Sequence, residues 1–204
     1  WLDLKAGTFL TRRESPRAIV VAECICRKQR RLVDQGCGKP REVCFMFGSM
    51  GQYYLDQGLG RRVDADEAVR ILTEAQEAGL VTQPATAQNP GGMCNCCGDC
   101  CGILAGLNAL AKPAEMVFSN HAAALDEALC NGCEACLDRC QMEAIRWAGD
   151  RVTGIDPDRC IGCGLCVTRC PTQALRLVAK AEPRVPPQST ADQMLAMARH
   201  RGLA

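Results

Sequence analysis

Two cysteine runs with the same spacing constrain this chain more than any other feature of its sequence. CNGCEACLDRC and CIGCGLCVTRC both follow the pattern C-x2-C-x2-C-x3-C, and the second starts 30 residues after the first. Their cysteines are Cys130, Cys133, Cys136 and Cys140 in the first motif, and Cys160, Cys163, Cys166 and Cys170 in the second. The match extends to other positions, since Gly132 corresponds to Gly162 and Arg139 to Arg169. The chain therefore uses one supersecondary unit twice.

This spacing suits one kind of inorganic cofactor. Three thiolates on a tight loop can bind three corners of a cuboidal iron-sulfur cluster, while the fourth points towards the cluster of the other repeat. Gly132, Gly162 and Gly164 lie between ligands, where positive φ angles and close backbone approach to sulfide are expected. A pair of zinc sites or a set of buried free thiols is the alternative. Zinc is disfavoured because it usually takes two ligands from each of two knuckles.

Residues 121–179 resemble the bacterial-type ferredoxin with two 4Fe-4S clusters. The resemblance implies a small βαββαβ fold. It also implies two ligand sets, which are Cys130, Cys133, Cys136 and Cys170 for one cluster and Cys160, Cys163, Cys166 and Cys140 for the other. The second motif carries the family's proline, Pro171, whereas the first has Gln141 in that place. The ligands are therefore kept, and the departure at Gln141 concerns only the local turn.

Nine further cysteines precede the repeat in two groups. A β-branched run at 19–21 predicts a strand that leads into Cys24 and Cys26, and the period of two along a strand would put both thiols on one face. Cys37 and Cys44 follow closely enough to complete four ligands. The segment CNCCGDCC supplies Cys94, Cys96, Cys97, Cys100 and Cys101. These exceed the needs of one tetrahedral site, so either some are spare or the segment shares ligands with the first group.

One or more additional iron-sulfur clusters are favoured at these upstream cysteines, because thiolates are soft ligands and two clusters are expected in the same chain. Zinc, a structural thiol cluster, a redox-active disulfide and a reactive cysteine are the alternatives. The arrangement is similar to a family of uncharacterised anaerobe iron-sulfur proteins that carry a 4Fe-4S dicluster domain and an extra N-terminal cysteine-rich domain. In that family a further cysteine stands where this chain has Asp99. A basic run, Arg27, Lys28, Arg30 and Arg31, either offsets cluster charge, docks an acidic partner or is a solvated face.

Composition and pattern limit the compartment and the partners. The cysteines are clustered and their number, 17, is odd, which argues against a secreted disulfide scaffold and favours a reducing cytoplasm. No leader-like segment opens the chain at Trp1, and no apolar run reaches the roughly 20 residues of a membrane span. The formal net charge of +1 gives no indication of nucleic-acid binding. No phosphate-binding glycine loop is present in the sequence.

The remaining segments indicate an α+β protein. Asp64 and Glu67 predict a helix start, with an apolar stripe at Ala68, Ile71, Leu72 and Ala75 and a stop at Gly79. Further helices are expected at 103–111 and 191–199. We expect a cysteine-rich iron-sulfur domain over 1–119, the two-cluster ferredoxin domain over 120–180 and a Pro-rich, helical tail over 181–204.

The predicted function is electron transfer by a module or subunit of an anaerobic redox system, with redox proteins as partners and membership of a larger complex as an option. Two alternatives remain open. A redox enzyme would have its active centre at the upstream cysteines, and a regulatory sensor would respond to oxidation or loss of a cluster. On either prediction the clusters supply the one-electron chemistry and the chain supplies spacing, water exclusion and control of potential.

Overall fold

The computed structural model describes residues 18–203, so the first 17 residues of the expected N-terminal domain lie outside the described part. This part forms two compact units. Residues 18–78, 82–95 and 185–203 make up what we call the sheet unit, and Gly79–Val81 with Cys96–Arg184 make up the repeat unit. The expected division at 119 and 180 stays a prediction about domains. Residues 96–101 of the expected N-terminal domain belong to the same compact unit as the repeat.

The sheet unit contains most of a five-stranded sheet and four helices. Its elements are β1 (Ile19–Glu23), α1 (Ile25–Arg31), β2 (Glu42–Phe47), α2 (Gly48–Asp56), β3 (Gly60–Val63), α3 (Ala65–Glu77), β4 (Val81–Pro84), β5 (Gly92–Cys96) and α6, whose bounds are given below. Val81 of β4 and Cys96 of β5 belong to the repeat unit. The strand order is β3-β1-β2-β5-β4. β1 pairs antiparallel with β2 and β3, and β2 pairs antiparallel with β5. The strand predicted from residues 19–21 is confirmed as β1.

Helix α3 forms where the apolar pattern predicted it. The Asp64 carboxylate accepts a hydrogen bond from the Glu67 backbone N–H at 2.8 Å, which satisfies one of the unpaired donors of the first turn. The buried residues of the helix are the predicted ones, Ala68, Ile71, Leu72 and Ala75. Gly79 follows with a φ of +78°, a conformation that ends a helix at little cost only for glycine.

The repeat unit has shorter elements. They are α4 (Gly102–Asn108), α5 (Pro113–Met116), β6 (His121–Leu125), β7 (Ile145–Trp147), β8 (Val152–Ile155) and β9 (Leu175–Ala179). β6 pairs with β9 and β7 pairs with β8, both antiparallel. Single 3₁₀ turns occur at Glu127–Leu129, before the first motif, and at Val167–Arg169, between the last two cysteines of the second motif. The described chain is thus a mixed helix and strand protein.

Two expectations for helices outside the repeats are met in different degrees. The helix expected at 103–111 forms as α4 but ends early, at Asn108, and a separate helix, α5, begins at Pro113, where proline suits a first turn. The tail helix, α6 (Thr190–His200), forms as expected and is capped by Ser189, whose hydroxyl accepts the Asp192 N–H at 3.2 Å. None of the helices in residues 18–203 has both the length and the apolar character that a bilayer crossing requires.

The glycines between the predicted ligands have the backbone conformation that their positions required. Gly132, Gly162 and Gly164 have φ angles of +70°, +67° and +76°. A Cβ atom on Gly132 would overlap the carbonyl oxygen of Asp150, and one on Gly162 would overlap that of His121. Both repeats therefore need glycine at this position for the same two reasons, backbone angle and close approach.

A buried asparagine holds three segments of the sheet unit together. Asn95 in β5 is 0% exposed, and its amide donates to the carbonyl of Val43 at 2.7 Å. Its side-chain oxygen accepts a hydrogen bond from the Thr82 hydroxyl at 2.8 Å. Its backbone carbonyl accepts one from the Arg27 guanidinium at 2.9 Å. Buried polar groups need hydrogen-bond partners, and the Asn95 side chain provides one for the Val43 carbonyl and one for the Thr82 hydroxyl.

Replacement of Asn95 by alanine tests this arrangement. The carbonyl of Val43 and the hydroxyl of Thr82 would lose their partner in the interior, which costs about 2 to 4 kcal/mol of unfolding free energy. Thermal or denaturant unfolding followed by circular dichroism would measure the loss. Asn89→Ala, an exposed position in the same unit, should change stability by less than about 0.5 kcal/mol. Equal stability of the two variants would contradict the role of Asn95.

Candidate metal centres

The first of two cavities in the repeat unit gathers cysteines from both motifs. This cavity is lined by three cysteines of the first motif and one of the second, which are Cys130, Cys133, Cys136 and Cys170. Its other walls are largely apolar, with Leu125, Trp147, Val152 and Leu175 among them. Apolar walls exclude water, which is one of the means by which a protein sets the potential of a cluster.

The second cavity has the reverse composition. It is lined by Cys140 of the first motif with Cys160, Cys163 and Cys166 of the second. Ile145, Ile155, Ile161 and Met142 contribute its apolar walls. Each cavity therefore contains four thiols, three from one motif and the fourth from the other. Four soft donors around a water-excluding space fit a thiolate-bound iron-sulfur cluster.

Backbone N–H groups are directed at sulfur atoms in both cavities. The N–H of Ala144 donates to the Cys140 sulfur at 3.2 Å, and that of Leu175 donates to the Cys170 sulfur at 3.5 Å. The N–H of Ala123 donates to the Cys160 sulfur at 3.5 Å. Such bonds stabilise negative charge on sulfur and are recognised determinants of cluster potential. The fourth cysteine of each motif is thus prepared for a charged, ligand-binding state.

The pKa values of the cavity thiols show how burial disfavours their negatively charged form. Burial raises the pKa of Cys136 and of Cys163 to about 11, and it raises the pKa of Cys166 further. Burial acts in the same direction on Cys170, but hydrogen bonds from the Leu175 N–H and the Thr172 hydroxyl outweigh it and lower its pKa. Because ligands must be deprotonated, binding of iron at these sites releases protons and compensates the buried charge.

The upstream cysteines are divided between the two units. Cys96, Cys97, Cys100 and Cys101 are buried in the repeat unit, where Cys96 and Cys101 belong to one apolar core with Ile161 and Leu165. Cys163, which lines the second cavity, packs against that core. The other five, Cys24, Cys26, Cys37, Cys44 and Cys94, belong to the sheet unit.

In the sheet unit the Cys44 thiol is hydrogen-bonded to the thiols of Cys24 and Cys94, and these bonds raise the pKa of Cys44. The same bond to Cys44 lowers the pKa of Cys24, and the positive charge of Arg27 contributes in the same direction. These cysteines form one connected set of soft ligands.

One expectation about the upstream cysteines is wrong. Cys24 and Cys26 do not share the face of a strand, because β1 ends at Glu23 and Cys26 lies in the first turn of α1. The pairing of β1 with β2 shifts register between Ala22 and Glu23, which ends the regular strand just before the cysteines. The following Arg, Lys and Gln residues are good helix formers, and they favour the helix from Ile25 onwards.

Gln141 stands where the resembling family has proline. The structure gives its side chain a role that the sequence alone did not reveal. Its side-chain oxygen accepts the N–H of Gly98 at 2.8 Å, and its amide donates to the carbonyl of Gly79 at 3.0 Å. Gly98 lies between Cys97 and Cys100, so Gln141 attaches the CNCCGDCC loop to the first motif. Proline could make neither bond.

Replacement of Gln141 by alanine should therefore loosen the loop between Cys96 and Cys101. Both hydrogen bonds are lost, and we expect faster hydrogen exchange at residues 97–101, with the change confined to the loop. Hydrogen exchange measured by mass spectrometry on the anaerobic protein is the test. Gln173→Asn, at an exposed position of the second repeat, is the matched control. Unchanged exchange in Gln141→Ala would show that the loop is held by other contacts.

Comparison with known proteins adds one finding to this geometry. Residues 123–177, which include both motifs and both cavities' cysteines, match the family described as 4Fe-4S dicluster domain. No curated protein matches the chain. The matching stretch accounts for eight of the cysteines, and those elsewhere are compatible with additional clusters. The chain therefore binds two 4Fe-4S clusters, and its chemistry is iron-sulfur electron transfer.

Proposed function

We propose that this chain relays electrons as a module or subunit of an anaerobic redox system, through the two 4Fe-4S clusters and at least one further cluster at the upstream cysteines. The observation that carries the proposal is the composition of the two cavities, each with three thiols from one motif and one from the other. This arrangement supports crossed ligation, in which Cys140 and Cys170 bind the cluster of the opposite motif. Redox proteins are the partners that such a relay requires.

The upstream part of the relay is supported by packing inside the repeat unit. Cys97 and Cys100 are 1% and 5% exposed, and they lie in the loop that ends at Cys101. Cys101 and Cys96 share a core with Ile161 and Leu165, which flank Cys163 of the second cavity. A cluster bound by Cys97 and Cys100 would thus be separated from the second cavity by a layer of core side chains. That closeness permits electron exchange without a diffusional encounter.

Two charged side chains, one at each cavity, favour different reduction potentials for the two clusters. Glu134 lines the first cavity and Arg139 lines the second. Burial lowers the pKa of Arg139, the neighbouring charge of Arg169 lowers it further, and the interaction with Cys163 acts in the opposite direction. A partly buried cation favours the reduced, more negative state of a nearby cluster, and an anion opposes it. The second cavity, next to the upstream cysteines, is therefore the site where Arg139 stabilises an added electron.

Substitution of Arg139 tests this difference in potential. Arg139→Gln should lower the reduction potential of the second-cavity cluster by tens of millivolts, because a positive charge in a low-dielectric region is removed. A redox titration followed by electron paramagnetic resonance would measure both potentials. Arg169→Gln changes the exposed counterpart in the other repeat and should shift the potential much less, since water screens it. Equal shifts in the two variants would contradict the assigned role of Arg139.

The crossed ligation is tested by a matched pair of variants. Cys140→Ser should impair the cluster bound by Cys160, Cys163 and Cys166, whereas Cys170→Ser should impair the cluster of the first motif. The two clusters can be distinguished by potential, since only one responds to Arg139→Gln. If Cys140→Ser instead impairs the cluster of its own motif, the crossed assignment must be abandoned.

Metal analysis tests the further cluster. The full chain, purified without oxygen, should contain iron and acid-labile sulfide beyond the eight iron atoms of two 4Fe-4S clusters. A Cys97→Ser/Cys100→Ser double variant should lose the iron and sulfide of the cluster that these two residues bind, and it should keep both original clusters. An anaerobic protein with only eight iron atoms, or with zinc in place of the excess, would leave a two-cluster carrier.

A further inference from the structure

Three thiols meet on one face of the sheet unit, although they are far apart in sequence. Cys24 follows β1, Cys44 lies in β2 and Cys94 lies in β5. β2 and β5 pair antiparallel with Phe45 opposite Met93, and continuation of that register places Cys44 opposite Cys94. The Cys44 thiol is hydrogen-bonded to the thiols of both Cys24 and Cys94. The three sulfurs therefore form a connected group, and one strand pairing brings two of them together.

The alternation of side chains separates this group from the apolar core. Val43 and Phe45, on either side of Cys44, are buried in the core, as is Met93 next to Cys94. Because neighbouring residues of a strand point to opposite faces, Cys44 and Cys94 share the other face. Cys24 and Cys44 are buried, whereas Cys94 is exposed. The group is thus enclosed on one side and accessible on the other, as a site that must be loaded requires.

A buried cation stands beside these thiols. The side chain of Arg27 in α1 is 1% exposed, and its guanidinium donates to the backbone carbonyl of Asn95 at 2.9 Å. Asn95 is the residue directly after Cys94, and the charge of Arg27 acts on Cys24. A guanidinium taken out of water costs several kcal/mol unless negative charge lies nearby. The location of Arg27 therefore matches a centre that carries net negative charge.

These observations favour a metal centre over a disulfide. A disulfide joins two sulfurs, whereas Cys44 is hydrogen-bonded to two other cysteines, and a disulfide would leave the buried guanidinium of Arg27 without a negatively charged neighbour. Cys26, half-buried and two residues after Cys24 in the same unit, is the candidate for the fourth ligand. Zinc and iron-sulfur clusters both accept four thiolates, and the presence of two 4Fe-4S clusters in the same chain favours the cluster.

We propose that Cys24, Cys44 and Cys94 bind an iron-sulfur cluster in the sheet unit, with its own ligands and with Arg27 as the residue that compensates its charge. This inference deepens the proposed function and rests on it for the nature of the metal. It divides the CNCCGDCC segment, because Cys94 joins the first cysteine group while Cys97 and Cys100 serve the repeat unit. The upstream cysteines then hold two centres, and iron analysis of the intact chain should give more than one additional cluster.

Additivity of ligand substitutions in the full anaerobic protein is the test. Cys94→Ser and Cys24→Ser should each lose the iron and sulfide of one cluster, and the Cys24→Ser/Cys94→Ser double variant should lose no more than either single variant. Cys94→Ser combined with Cys97→Ser should lose two clusters, because the two positions serve different centres. In all of these variants the two clusters of the repeats should keep their electron paramagnetic resonance signals.

Two results would overturn the proposal. If Cys94→Ser and Cys97→Ser remove the same cluster, so that the double variant loses no more than either single one, the segment serves a single shared centre. If Cys94→Ser releases zinc and no iron, the sheet unit holds a structural metal. In the first case the proposed relay with one further cluster survives. The relay itself fails only if the unmodified chain has no iron beyond its two 4Fe-4S clusters, so the two failures are distinguishable.

The role of Arg27 has a separate readout. Arg27→Met should lower the reduction potential of the sheet-unit cluster, or abolish its binding, because the compensating charge is gone. Lys28→Met is the matched control, since the Lys28 side chain is 59% exposed and pairs with Glu23 at 3.6 Å on the surface. Full cluster content with an unchanged potential in Arg27→Met would remove Arg27 from the centre. Where Arg27→Met fails to fold, the cysteine variants still decide the ligand assignment.

Discussion

The structure depends on the cost of bringing many thiolates together away from water. Four sulfurs line each cavity of the repeat unit, and burial raises the pKa of Cys136 and Cys163 to about 11. Without a cation, burial favours the neutral form of such thiols. With iron bound, the same side chains become the strongest cross-links available to short strands and single 3₁₀ turns. A protein with few long elements can therefore be organised around its cofactors.

The polar contacts of the repeat unit serve this arrangement. Gln141 attaches the CNCCGDCC loop to the first motif through Gly98 and Gly79. Arg159 donates to the carbonyls of Met142 and Leu110 at 2.7 and 3.3 Å and also bonds to Asn108, which fastens the end of α4 to the repeats. These bonds hold the loop with Cys97 and Cys100 in the same compact unit as the two clusters. Electron exchange requires that fixed spacing, and the proposed relay follows from it.

Local chemistry explains which features could be predicted from the sequence. The cap and apolar stripe of α3 and the positive φ angles of Gly132 and Gly162 depend on neighbouring residues, and these predictions are confirmed. The grouping of Cys94 with Cys24 depends on the pairing of β2 with β5, which no local pattern specifies. The interior position of Arg27 was also hidden, because it lies in a basic run that looks like a solvated surface. Cysteines that are close in sequence therefore do not always share a site, because adjacent residues of a strand point to opposite faces.

The central claim is that the chain binds more iron-sulfur clusters than its duplicated motif accounts for. Mössbauer spectroscopy measures the number and type of clusters in one experiment. It uses the full chain, isolated without oxygen and uniformly labelled with the Mössbauer-active isotope of iron. The account predicts iron-sulfur signals beyond those of the pair bound by the repeats, and these signals should be lost on substitution of the upstream cysteines. A spectrum that contains only the two clusters of the repeats, at full occupancy, would contradict it.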